Sequence, residues 1–389
     1  MSDAADTRTP RELIEYIRRE EYGVDIDASE QEQRRLKSLR SKLDRTLKLL
    51  AEDLYSKQTH FVLELIQNAD DNDYPNGVVP CLSFSLSPSR LVLVNNELGF
   101  KQTHVSALCD VGKSSKEKKK GYIGEKGIGF KSVFTVSDAP EIHSNGYHFR
   151  FNRTGEDNLL GYVVPEWCDP SEAVIPDATT IVLPTKQGQV FSVATLENLD
   201  AGLLLFLSKV RELALHHDGG TTTFKRRDEA GFSHLVSAVV RPDGQAETEE
   251  TRFLRVSVTI PMNGAGDEKR SDIESSEVVL AFPVASNGAA NPQGSSQVFA
   301  FLPIRLFGFK FSVQADFILS SSREDIHTDR KWNRRLRDSI AKVFTSAVDQ
   351  FKKTDTLAFS YLKFLPSDSE VVDPFFKPVR NCQQITFTT

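Results

Sequence analysis

Phe61-Val62-Leu63-Glu64-Leu65-Ile66-Gln67-Asn68-Ala69-Asp70-Asp71 decides how the rest of the chain is read. As a helix, this run sets Glu64, Asn68 and Asp71, four and three residues apart, on one face. Val62, Leu65, Ile66 and Ala69 fall on the other side and are expected to be buried. One face therefore offers a carboxylate, a carboxamide and a second carboxylate. A carboxylate so placed can orient and deprotonate water, and a carboxamide oxygen suits Mg²⁺, a hard cation that prefers oxygen. An ordinary amphipathic surface helix has the same spacing, so this run alone leaves both readings open.

Downstream lies Gly121-Tyr122-Ile123-Gly124-Glu125-Lys126-Gly127-Ile128-Gly129-Phe130-Lys131. Glycines at 124, 127 and 129 allow backbone amides to approach phosphate oxygens, and 130–136 reads as helical, so its N-terminal amides would face the same anion. Lys126 inside this loop is either a further phosphate ligand or a solvent-facing lysine. The pattern is not a Walker loop, because GxxxxGK[ST] is absent. Between the two elements, Leu93-Val94-Asn95-Asn96-Glu97-Leu98-Gly99-Phe100 ends a strand, where a polar group can read an adenine edge or simply make a turn.

The wider pattern fits an α+β fold. A short helix is expected over 11–17 and a long one over 29–55, with leucines at 36, 39, 43, 47, 50 and 54 in one stripe. The opposite side of the long helix is basic, through Arg34, Arg35, Lys37, Arg40, Lys42, Arg45 and Lys48. It is either a solvated face or a docking surface for an acidic partner. Strands are expected at 81–86, 90–94, 141–151 and 179–183, a helix at 203–217, further strands from 254 to 317, and a long helix from Trp332. The first domain closes near 190, and 191–389 forms a second α+β domain.

With 39% hydrophobic and 26% charged residues, the 389-residue chain has the composition of a soluble globular protein. A net charge of −6 argues against nucleic acid as partner, since backbone phosphates demand a clustered positive field. The four cysteines are dispersed, with no CxxC pair, which favours a reducing compartment over a disulfide or zinc framework. No run suits a membrane span. The expected location is intracellular, cytoplasmic or nuclear.

Taken in order, these segments resemble the GHKL ATPases (gyrase, heat-shock chaperone, histidine kinase, MutL), whose site combines an N-box helix, a DxGxG turn and a GxxGxG loop. More narrowly, residues 54–151 are similar to the heat-shock-ninety-type ATPase domains of the NO VEIN-like and sacsin-like group. The resemblance implies a Bergerat-type α/β sandwich, a mixed and mostly antiparallel sheet covered by helices, that binds ATP and Mg²⁺. Glu64 becomes the general base and Asn68 the metal ligand. Asp71, Asn95, Gly99, Lys113, Gly124, Lys126, Gly127, Ile128, Gly129, Phe130 and Thr179 become nucleotide-binding positions. Asn95 stands where the family has an aspartate that accepts from the adenine amino group, and Glu97 replaces a glycine. The segment 317–324 resembles the Ser-Arg-Glu stretch of the chaperone middle domain, which makes Arg323 a phosphate ligand supplied by the second domain.

The implied activity is ATP hydrolysis coupled to conformational change, in a chaperone-like module of a larger protein. Its partners would be ATP and ADP, a protein client and, as in several relatives, a second copy in a homodimer. A nucleotide-binding switch or scaffold with little turnover is the alternative.

Overall fold

The computed structural model describes residues 8–27, 29–54, 60–110, 129–154, 160–172, 174–265, 267, 270, 272–292, 294–320, 323–365, 367, 370–371 and 373–379, without the side chains of 49–54 and 60. These residues form two compact units. One comprises Met1–Leu199, Glu212–Thr223 and Val239–Gln245; the other comprises Asp200–Arg211, Phe224–Ala238 and Ala246–Thr389.

The first unit opens with α1 (Pro10–Tyr16), started by a reciprocal cap in which Glu12 N–H donates to Thr9 Oγ1 and Thr9 N–H to Glu12. Two helices follow, α2 (Glu30–Leu54) and α3 (His60–Asp71), then the hairpin β1 (Cys81–Ser87) and β2 (Arg90–Asn95). After α4 (Gln102–Leu108), a 3-10 helix (Gly129–Thr135) leads to β3 (Glu141–Ser144), β4 (Tyr147–Phe151), β5 (Pro165–Trp167) and β6 (Thr179–Pro184). With β7 (Glu212–His217), the strands lie in the order β7-β1-β2-β6-β3-β4-β5. Every pairing is antiparallel except β1 with β7. The sheet is thus mixed and mostly antiparallel, as the element order implied.

Beneath this sheet, Phe130, Phe134, Phe149, Phe151 and Tyr162 form an aromatic core with ring centroids 4.8 to 6.1 Å apart. Rings buried to this degree are worth about 2–3 kcal/mol each in area removed from water. They fix the 3-10 helix, and with it Gly129, against the strands.

Two expectations change. The stretch 203–217 is not a helix: a 3-10 turn spans Ala201–Leu205, and Glu212–His217 is strand β7. Asp200 starts the turn by accepting from Gly202 N–H at 2.6 Å. Parallel pairing with β1, which buries Leu213, Ala214 and Leu215, outweighs the local helical pattern. The stripe on α2 is buried at Leu47 (5% exposed), but Leu39 is 62% exposed, so the first half of α2 stands clear of the core.

The remaining strands, most of whose residues lie in the second unit, follow the order β13-β12-β14-β11-β10-β9-β8. These strands are β8 (Gly220–Glu229), β9 (Phe232–Val240), β10 (Ala246–Pro261), β11 (Ser275–Val284), β12 (Ser296–Ala300), β13 (Leu302–Phe309) and β14 (Ser312–Ala315). Helix α5 (Lys331–Lys352) packs on β10 and β11, with Phe282 meeting Phe311, Phe344, Phe351 and Phe364 at 5.1 to 5.7 Å.

Candidate functional site

Helix α3 is no surface helix. From 61 to 71 every side chain is buried or half-buried, including Glu64 (6% exposed) and Asp71 (5%), while Asn68 is half-buried. Val62, Leu65, Ile66 and Ala69 are buried as their spacing required. Carboxylates are rarely held this deep without a local purpose, because an ion loses hydration on burial and needs polar company.

The 3-10 helix packs along α3. A side chain on Gly129 would run into Glu64 Oε2. Glycine is therefore needed here for room. Phe130 follows with its ring in the aromatic core, 6.1 Å from Phe151, which leaves its backbone amide as the group it can present to a ligand. Lys113, Gly124, Lys126, Gly127 and Ile128 lie outside the described residues.

A second group forms at the ends of three strands. Asn95 closes β2 and is the register partner of Thr179, which opens β6. Paired residues of neighbouring strands share a face. Thr179 Oγ1 in turn lies 2.5 Å from Ser144 Oγ at the end of β3, and Ser144 Oγ accepts from Phe100 N–H at 2.8 Å. Asn95, Thr179 and Ser144 are buried to 5%, 3% and 1% exposure. Among the described residues the Asn95 Oδ1 has no hydrogen-bond partner although it is fully buried, while the Tyr74 hydroxyl lies against the Asn95 side chain. Such an acceptor costs about 1–3 kcal/mol unless a ligand or water donates to it.

Gly99 (φ +85°) lets the turn after β2 press against the β3–β4 hairpin, where a side chain would meet Asn145 Cβ at 2.8 Å. Asn145 Nδ2 donates to the Phe100 carbonyl at 3.0 Å and locks the two together. Asn96 is a clamp rather than a ligand: its Oδ1 accepts from Cys81 N–H (2.8 Å) and its Nδ2 donates to the Val79 carbonyl (2.9 Å).

The helix and the strand ends are joined. Leu98 N–H donates to the Asp73 carbonyl at 2.9 Å, just past α3. Tyr74 donates its hydroxyl to the Ala69 carbonyl at 2.7 Å beside the Asn95 side chain, and burial raises that phenol's pKa.

Arg323 belongs to the second unit. It occupies the left-handed region (φ +58°), and its N–H donates to the Ser320 carbonyl at 3.0 Å. Among the described residues no group of three His, Cys, Asp or Glu side chains is arranged to hold a metal. A Mg²⁺ held by one amide oxygen, phosphates and water requires no such cage. Also among the described residues, no helix is long and apolar enough to cross a membrane.

Three residues escaped the sequence reading. Ser144 sits in an unremarkable Ile-His-Ser run, and only the register of β3 on β6 brings it to Thr179. Tyr74 read as part of a turn. Nothing in its neighbours marks Lys131, at the end of the quoted glycine segment, yet it is only 4% exposed.

The family described as Sacsin domain matches residues 85–152, which include the Asn95 turn, Ser144 and Gly129. Protein NO VEIN of Arabidopsis thaliana is 35% identical over 390 residues, covering 92% of this chain. This chain is similar to NO VEIN along nearly all its length. It spans 14% of that relative, so the similarity concerns one region of a much longer protein.

Proposed function

We propose that the first unit of this NO VEIN-like and sacsin-like chain is a Mg²⁺-dependent ATP-binding and hydrolysing module of the GHKL type. The observation that carries the reading is the placement of the Glu64 carboxylate against Gly129, at the end of the glycine segment. The buried Asn95 Oδ1, without a hydrogen-bond partner among the described residues, is a second support, because it is an acceptor suited to an exocyclic amino group.

The residues present fit the nucleotide and its metal. Asn95, Thr179 and the Gly99 turn would hold the base, and amides at Gly129 and Phe130 would meet phosphate oxygens, together with the glycine segment before them. The Asn68 oxygen would ligate Mg²⁺, which when bound neutralises phosphate charge. Asp71, on the same face one turn later, would support Asn68 and water around it. Glu64 would take the proton of a water molecule at its carboxylate, leaving the oxygen free to attack phosphorus in line with the departing group. Arg323 as a further phosphate ligand rests on the resemblance of its segment alone. So do coupling to conformational change, a protein client and a homodimer.

Asn95 favours a second reading, a nucleotide-dependent switch with little turnover. A neutral amide binds the base without the charge assistance an aspartate gives. The two readings separate in one experiment, a calorimetric titration with Mg-ATP and Mg-GTP followed by phosphate release from Glu64→Gln. Hydrolysis predicts binding retained and release lowered by about 10²–10⁴-fold in the variant. A switch predicts binding with release that is slow and indifferent to the substitution, and absence of binding removes both.

A further inference from the structure

One buried cation joins the end of α4 to the 3-10 helix at 129–135. Lys131 Nζ donates to the Leu108 carbonyl, the last of α4, and to the Tyr162 carbonyl at 2.6 Å, and it lies 4.5 Å from the centroid of the Phe151 ring. The next carbonyl, that of Cys109 just past α4, is taken by the Tyr22 hydroxyl at 2.5 Å. A helix end leaves its last carbonyls unsatisfied and favours positive charge beside them.

We propose that Lys131 is a positioning residue for the phosphate-facing amides of Gly129 and Phe130, tying the 3-10 helix to the end of α4 through the ammonium, and that this charged form is the one competent to bind nucleotide. The inference rests on the nucleotide reading above. An ammonium has three N–H donors and no lone pair. Two carbonyls and the negative face of an aromatic ring match all three. A neutral amine has one donor fewer and turns a lone pair toward one of these electron-rich partners. Polyphosphate bound at Gly129, two residues earlier, would further favour the cation.

Burial lowers the pKa of Lys131 to about 8, against the opposing pull of Cys109 and Asp110. The other titratable or charged groups around this tie are Glu21 and Tyr22 near Cys109, Tyr162 with the Arg153 guanidinium 4.1 Å above its ring, and Glu64 against Gly129. Burial holds the Cys109 thiol at about 12 and raises the Tyr22 phenol as well, so neither titrates where Lys131 does.

Two consequences run in opposite directions. The folded protein releases this proton near pH 8 and the unfolded chain near 10.5, so in between the unfolded state holds more protons and folding stability from this group rises with pH. Nucleotide affinity, which requires the ammonium, falls over the same window. A residue that acted only by stabilising the fold would move both the same way.

The test is calorimetric titration of the whole chain with Mg-ATP from about pH 7 to about pH 9, in buffers of different ionisation enthalpy, with thermal melts alongside. The expected result is proton uptake on binding near pH 8 and an affinity that falls by up to about tenfold per pH unit above it. Lys131→Arg, permanently charged, should bind with a flat profile, and Lys131→Met should bind at least about tenfold more weakly at neutral pH. Constant wild-type affinity without proton exchange overturns the proposal, as does wild-type binding by Lys131→Met. The wild-type profile decides the matter even where a variant fails to fold. If the wild type binds no nucleotide at neutral pH, the nucleotide reading is what fails. Amide exchange at 105–110 and 131–136 in the ligand-free protein then judges the tie: faster exchange in Lys131→Met supports it and unchanged exchange overturns it.

Discussion

Glu64 Oε2 occupies the space into which a side chain on Gly129 would have to grow. A carboxylate and a glycine distant in sequence are thereby made one mechanical unit. The glycine matters for the room it leaves the acid.

Replacing Gly129 by alanine should therefore cost about 1–3 kcal/mol of stability, the usual penalty for overfilling a packed contact. In a Glu64→Ala background the obstructing oxygen is gone, and the penalty should shrink by more than about 0.5 kcal/mol. Denaturant unfolding of the four proteins of the cycle measures this coupling. Additive penalties would mean that the contact does not matter energetically.

Asn95→Asp should raise the preference for ATP over GTP by about tenfold, since an ionised acceptor strengthens a hydrogen bond from the adenine amino group. The cost should appear in a lower melting temperature. Asn95 is 5% exposed and Glu97 in the same turn 2%, so a second carboxyl would be buried close to an existing one. Competition binding with both nucleotides, alongside melts, checks the pair of effects. Unaltered base preference would separate Asn95 from base recognition.

Thr179→Val keeps shape and removes the hydroxyl that meets Ser144 at 2.5 Å. A loss of about 1–2 kcal/mol is expected, because Ser144 retains only Phe100 N–H as its partner in this row. Urea unfolding reads the change. A variant as stable as the wild type would show that the hydroxyl pair is not structural.

His148 supplies a pH dependence on the acid side. Its pKa is lowered, first by burial and then by His143, whose Nδ1 lies 3.2 Å from its own. The unfolded chain takes up a proton near pH 6.5 that the folded state resists. Stability from this group is therefore fully present above that pH, is lost as pH falls toward the lower folded value, and levels off below it. Thermal melts from neutral to mildly acidic pH should show this decline, reduced in His148→Gln. An equal slope in both proteins would place the acid sensitivity elsewhere.

Much of the first unit was legible in its sequence, because its elements announce themselves locally. The buried positions of α3 follow its helical spacing, the β1–β2 hairpin turns at Ser87-Pro88-Ser89, and Gly99 and Gly129 stand where backbone crowding requires glycine. What could not be read depends on partners far along the chain. Residues 212–217 have helical spacing, and only an available edge at β1 makes them a strand. Ser144 gains its place from strand register, and Lys131 from carbonyls at 108 and 162. A lone charged side chain reads as surface until the fold encloses it.

The bond from Leu98 to the Asp73 carbonyl, with Tyr74 set between Ala69 and Asn95, does more than close a turn. It leaves no joint between the helix that carries the acid and the strand end that carries the amide. The separation of the two is then a gauge built into the protein. Under the proposed nucleotide reading, ligands would be sorted by whether they reach from one end of it to the other, and a nucleoside without its phosphates would span only part of the distance.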